Sequence, residues 1–140
     1  MENKENVSIE NENQNENQEL DFVSEELKKT IEKKVAELKE SKKVKRIFPI
    51  AVEGDEEDEK PYYVAYFKQP DFLTFSKYLT ISQKQDPSVS LRQLAKDCFI
   101  DGDRELVDDD SLFIYGTMPY ITALTQTRRG GLVNFSKSGK

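Results

Sequence analysis

Hydrophobic and polar positions change period along this chain, and the sharpest change falls at residues 61–72, Pro61-Tyr62-Tyr63-Val64-Ala65-Tyr66-Phe67-Lys68-Gln69-Pro70-Asp71-Phe72. Residues 62–68 alternate as a strand would. One face carries Tyr62, Val64 and Tyr66, and the other carries Tyr63, Ala65 and Phe67. Both faces are apolar, so this strand is expected to be covered on both sides or to lie beside another element. Residues 44–53 also alternate. Val44, Arg46, Phe48, Ile50 and Val52 lie on a mostly apolar side, and Lys45, Ile47, Pro49 and Ala51 lie on the other. Pro49 cannot donate to a ladder, which places this strand at an edge or a bulge. Between the two runs, Gly54-Asp55-Glu56-Glu57-Asp58-Glu59-Lys60-Pro61 reads as a long acidic hairpin loop.

Helical spacing holds on either side of the hairpin. Ser24 reads as an N-cap, with Glu25 and Glu26 in the first turn, where the helix dipole favours negative charge. Leu27, Ile31, Val35 and Leu38 then form a narrow stripe on a helix otherwise built of Lys and Glu. Such a stripe can pack on the chain's own sheet or join a partner helix. It covers barely two heptads, short for a coiled coil, so packing on its own sheet is the expectation. Beyond the hairpin, Asp71 can cap a helix carrying Phe72, Phe75 and Leu79, with Leu73 and Tyr78 broadening its apolar face. Asp86-Pro87 starts another, through Leu91, Leu94, Ala95 and Cys98. Residues 100–105 read as a turn. One of Asp108, Asp109 and Asp110 is expected to cap a last helix whose apolar face holds Leu112, Phe113, Tyr115, Met118, Ile121 and Leu124. Pro119 inside it predicts a kink or a break.

The pattern therefore predicts an α+β domain. An antiparallel β-hairpin packs with about three C-terminal helices, preceded by a charged helix and a disordered N-terminal leader. The expected divisions are a leader at 1–22, one domain at 23–127 and a flexible basic tail at 128–140. Within the domain they are a charged helix at 24–42, a hairpin at 44–68 and helices at 71–126. The leader is dominated by Asn, Glu and Gln, a composition too polar to offset its ordering entropy.

Charge narrows the function. A net charge of −6 argues against general nucleic-acid binding, which needs excess Lys and Arg. No apolar h-region or membrane-length apolar run is visible, so a protein without a membrane partner is expected. The chain has no histidine, which removes His-based acid–base catalysis, Ser-His and Cys-His nucleophiles and His-ligated zinc. Its one cysteine, Cys98, reads as a small buried apolar residue. Asp101-x-Asp103-x-Glu105 suggests a calcium loop, but Leu106 stands where that loop needs glycine and Leu112 where it needs glutamate. No catalytic constellation, cofactor or metal site is encoded, and a non-enzymatic protein is the expectation.

Several segments together resemble small tail-assembly-chaperone-like proteins of tailed bacteriophages and prophages. They are the strand KVKRIFPIAVE, the run YYVAYFKQPDFLTFSKYL, the segment Cys98-Phe99-Ile100-Asp101-Gly102-Asp103-Arg104-Glu105, and DDDSLFIYGTMPYITAL. The resemblance spans roughly residues 27–124 and leaves the leader and the tail RRGGLVNFSKSGK without counterparts. It implies a non-enzymatic assembly factor in the host cytoplasm that binds the aggregation-prone tape-measure protein, or other virion assembly proteins, during morphogenesis. Aromatic side chains outside the core would form the binding surface, and Tyr62, Tyr63, Tyr66, Phe72 and Tyr120 are the candidates. A structural or packaged virion protein (connector or cargo) and an acidic host-directed regulatory protein are the alternatives.

Overall fold

The structure, a computed structural model, describes residues 20–135. Helix α1 (Glu25–Lys42) starts where the Leu27 amide donates to Ser24 Oγ at 3.0 Å, and ends at Lys43 in a left-handed conformation. Strands β1 (Ile47–Glu53) and β2 (Tyr62–Lys68) form the antiparallel hairpin, with Ile50 opposite Ala65. Asp71 Oδ1 accepts from the Thr74 amide at 2.8 Å and opens α2 (Phe72–Lys84). Helix α3 (Pro87–Cys98) follows, with Pro87 in its first turn.

The chain then does something the hydrophobic pattern did not indicate. Residues 99–102, expected to end a helix and begin a turn, form a third strand, β3 (Phe99–Gly102), antiparallel to β2. The expected span of helices at 71–126, with a turn at 100–105, is corrected to include this strand, and the sheet order is β1-β2-β3. The physical reason lies in β2. Its odd-numbered residues hydrogen-bond to β1, so its even-numbered backbone groups need another neighbour. Asp103 completes that ladder twice. Its amide donates to the Val64 carbonyl at 2.8 Å, and its Oδ2 accepts from the Val64 amide at 2.9 Å. Lys60 Nζ closes on Asp103 Oδ1 at 2.7 Å. Gly102 makes this approach possible. It sits at φ +103°, and a Cβ there would lie 2.5 Å from the Val64 carbonyl oxygen.

Beyond β3 come two short helices, α4 (Glu105–Asp108) and α5 (Asp110–Leu112), the second capped by Asp109 Oδ2 at 2.9 Å from the Leu112 amide. A π-helical turn (Phe113–Thr117) joins α5 to α6 (Met118–Ile121), and a 3-10 turn (Thr122–Thr125) ends the run. The widened turn lies directly before Pro119, which has no amide to donate and whose ring would crowd the Tyr115 carbonyl in a regular helix. The expected division of this helix is therefore found. Arg92 fastens the run to α3. Its Nε donates to the Val107 carbonyl at 2.9 Å and its Nη1 to Asp110 Oδ1 at 2.7 Å.

The sheet is covered on both faces. On one face, Tyr63, Ala65 and Phe67 pack with Ile50, Leu94, Cys98, Leu106, Phe113 and Ile121. Phe67 meets the ring of Phe99 edge to face at 5.9 Å. On the other face, Val64 and Tyr66 pack with Leu38, and Ile31, Val35, Ile47 and Ala51 join them. The narrow stripe of α1 thus lies on the chain's own sheet, as expected. Lys34 Nζ reaches Asp101 Oδ2 at 2.9 Å and links α1 to β3. Strand β1 begins at Ile47, later than the expected 44, because residues 44–46 carry the chain away from the end of α1. Of the expected leader, residues 20–22 lead into α1 through a turn in which the Val23 amide donates to the Leu20 carbonyl at 3.0 Å. The rest of the leader lies outside the described residues. Residues 128–135 form no regular element, and the end of the expected tail also lies outside the described residues.

Two outcomes test this arrangement. Leu38→Ala is expected to lower stability by about 2–3 kcal/mol in urea denaturation, the lower part of the range for buried leucine because its cluster is the smaller one. An α1 that did not pack on the sheet would leave the midpoint unchanged. The second concerns acid. The Lys34 hydrogen bond holds the Asp101 carboxyl below its ordinary value of 3.8, with the Gly102 amide assisting. A depressed carboxylate stabilises the fold above its unfolded pKa, and that contribution disappears as pH falls through the folded pKa. Asp101→Asn is therefore expected to flatten the stability loss below about pH 4, read by thermal melts from neutral to acid pH.

Candidate functional site

The candidate site is sought in what the fold leaves exposed. Among the described residues, no group of three or more Cys, Asp or Glu side chains is placed to hold a metal ion. The acidic positions are engaged in structural roles. Asp101 pairs with Lys34, while Asp103 pairs with Lys60 and Glu105 lies 3.6 Å from the same ammonium. In the hairpin loop, Asp55 Oδ1 accepts from the Glu57 amide at 2.9 Å, and Asp58 Oδ2 accepts from the Asp55 amide at 2.8 Å. Cys98 is fully buried and its thiol is pushed up to about 12 by desolvation, so it stays protonated and unreactive at neutral pH. No described helix is long and apolar enough to cross a membrane.

The five aromatic candidates separate into two groups. Tyr63 and Tyr66 are buried, one in each core, and desolvation raises both phenols above their ordinary value. Their place on a partner-binding surface is corrected for a physical reason. Each face of β2 is covered by the chain's own helices, and exposing either ring would mean unpacking a layer. Tyr62, Phe72 and Tyr120 remain exposed. They lie on three different elements. Tyr62 starts β2, Phe72 opens α2 and Tyr120 lies in α6.

Two candidate surfaces result. The first is helix α2. Its sequence, FLTFSKYLTISQK, is the most apolar of the longer helices, yet none of its residues is buried. Helix α2 leans on α3, and Lys77 Nζ meets Asp97 Oδ2 at 3.2 Å. Phe75 and Tyr78 face inward as a tilted pair, with Tyr78 reaching the larger core. The stripe expected to bury Phe72 and Leu79 is only half used. Phe72 is 82% exposed and Leu73 is 77% exposed, with Leu79 exposed further along. Asp71 holds this first turn in place. Its carboxyl is kept below its ordinary value mainly by the Thr74 amide hydrogen bond, so the cap is charged at neutral pH.

The second surface is a groove of about 750 Å³ along the outer edge of β1. The edge is open because the sheet ends there. Register fixes which backbone groups face out. The Gly54 amide donates to the Pro61 carbonyl at 2.9 Å, so Val52, Ile50 and Phe48 hydrogen-bond inward to β2, whereas Glu53, Ala51, Pro49 and Ile47 face outward. Pro49 therefore sits where a missing amide costs the sheet nothing. Residues 20–22 form one wall of the groove, and Tyr115, Gly116 and Tyr120 form the other. Gly116 lets the π-helical turn press against β1, since a Cβ there would lie 2.8 Å from Val52 Cγ1. Tyr115 was expected on the buried face of its helix. It lies two residues after the buried Phe113, on the opposite side of the helix, and is 82% exposed.

Sequence reasoning missed Leu73, Tyr115 and the whole groove. Leu73 was legible as an apolar residue but not as an unburied one. Tyr115 carried a signal in its spacing, since it lies two residues from Phe113 and so on the opposite side of a helix. No family model, curated protein or solved structure matches this chain.

Paired substitutions separate core from surface. Tyr63→Ala is expected to cost about 3 kcal/mol or more, because it empties a packed aromatic site. Phe72→Ser is expected to shift stability by less than about 0.5 kcal/mol. Guanidinium denaturation of both variants checks this, and equal losses would place Phe72 in the core.

Proposed function

We propose that this protein is a non-enzymatic assembly factor that uses α2 to cover an apolar segment of a larger partner. The observation that carries this reading is that helix α2 is rich in apolar residues, buries none of them fully and leaves Phe72, Leu73 and Leu79 exposed. Large exposed apolar side chains side by side, here Phe72 and Leu73, are a feature of protein-interaction surfaces. The first turn that bears them is fixed by the Asp71 cap, so the surface is held ready before a partner arrives. The net charge of −6 on the whole chain supplies solubility, since it disfavours self-association of a complex with a very apolar partner.

The resemblance of the segment order to tail-assembly-chaperone-like proteins of tailed bacteriophages makes that partner the tape-measure protein, a long helical chain. An apolar strip on the tape-measure helix would lie along Phe72, Leu73 and Leu79, in the manner of a helix laid against an apolar face. The role is transient, in the host cytoplasm, during virion morphogenesis.

Co-expression with the tape-measure protein of the same genome tests the proposal. The partner is expected to become soluble and to co-purify with this chain. Phe72→Asp with Leu73→Asp is expected to abolish both effects while the purified variant keeps its melting temperature. A partner equally soluble with and without this chain would sink the reading. Mass spectrometry of purified particles distinguishes the alternative, because a stoichiometric copy number there is the mark of a structural or packaged virion protein.

A further inference from the structure

The β1 groove and the C-terminal segment of this chain have complementary chemistry. The groove is lined by apolar and aromatic side chains and by two acids, Asp21 and Glu53, with no Lys or Arg. Beside it, the hairpin loop contributes five consecutive acids, Asp55, Glu56, Glu57, Asp58 and Glu59. The C-terminal segment is the reverse. After Asp110 the sequence contains no acidic residue, and residues 128–140 hold Arg128, Arg129, Lys137 and Lys140. Within it, Leu132 is 98% exposed, and Val133 and Phe135 are also exposed. Val133 and Phe135 are two residues apart, so an extended chain would turn both to one face.

We propose that the groove binds the C-terminal segment of a second copy of this chain, which adds as a strand to the open edge of β1. The outward amides and carbonyls of Ala51 and Glu53 supply the ladder, and Pro49 limits it to that end. Val133 and Phe135 enter between residues 20–22 and the rings of Tyr115 and Tyr120. Arg128 and Arg129 meet Glu53 and the acidic loop.

The occupant is a second copy rather than the same chain because of where the segment begins. Residues 126–129 lie against Arg46 and Phe48, at the start of β1. From there a chain's own segment can run along β1 only in the parallel sense, which is the less stable pairing. The segment of another copy can approach from the Glu53 end and pair antiparallel. Eight extended residues, 128–135, span roughly 26 Å, enough to cross a seven-residue strand. Exchange between two copies is reciprocal and closes into a dimer.

Light scattering on the full chain over a range of concentrations is expected to show a species of twice the 16.2 kDa chain mass, weakened by salt. Two full-chain variants divide the contact. Val133→Asp with Phe135→Asp damages the segment, and Asp21→Lys with Glu53→Lys damages the groove. Each is expected to be monomeric with an unchanged melting temperature, and mixing them is expected to restore a 1:1 complex through the one intact contact. A labelled peptide of residues 128–140 is expected to bind the segment variant, and about tenfold or more weakly when Asp21→Lys and Glu53→Lys are added. A full chain that stays at the monomer mass overturns the proposal. If the peptide then still binds the segment variant, the groove holds the chain's own segment. If it does not, the groove takes neither.

Discussion

Strand β2 presents apolar side chains on both faces and has hydrogen-bonding partners on both edges, and most of the fold follows from those four demands. One face takes the larger cluster, around Phe67, Leu94 and Phe113. The other takes the smaller cluster around Leu38 and Tyr66. One edge is met by β1, the other by β3 and Asp103. A two-stranded hairpin is not stable alone in water, and neither is the narrow stripe of α1. Each supplies the surface the other lacks.

The polar contacts around β3 serve the same end. Asp101 of β3 faces Lys34 of α1, and Asp103 just after β3 faces Lys60 of the hairpin loop, so these two acids connect three parts of the chain. These ion pairs are partly exposed and individually weak. Their value lies in geometry. They hold the strand that Gly102 lets approach, and the backbone of Val64 gains both its partners through Asp103. What looks in isolation like a cation-binding run of acids is used up in joining elements.

Once β2 is satisfied, the remaining apolar surface has few places to go. Helix α2 is held at the periphery by α3, with only one side of it turned inward, so its first turn stays in water. The outer edge of β1 stays open for a topological reason, since nothing in the described chain lies beyond it in the sheet. Both surfaces are consequences of a small domain whose core is already filled. In a protein without histidine or a reactive thiol, they are where interaction is expected.

By itself the sequence determined the elements that rest on local chemistry. Ser24, Asp71 and the acids at 108–110 marked helix starts because a side-chain oxygen next to free amides needs no distant partner. The alternation at 62–67 required a strand covered on both faces, and the α1 stripe matched one of those covers. Only the tertiary structure decided what depended on distant groups. Residues 99–102 have little strand pattern of their own and become β3 because Val64, far away in sequence, has unpaired backbone. Tyr63 and Tyr66 looked as exposable as Tyr62 until two layers closed over them. Tyr115 lies on the opposite side of its helix from the buried Phe113, and the close packing of Gly116 on Val52 sets it on the wall of the β1 groove. Periodicity reports which residues share a face, but whether that face meets protein or water is settled by elements elsewhere in the chain.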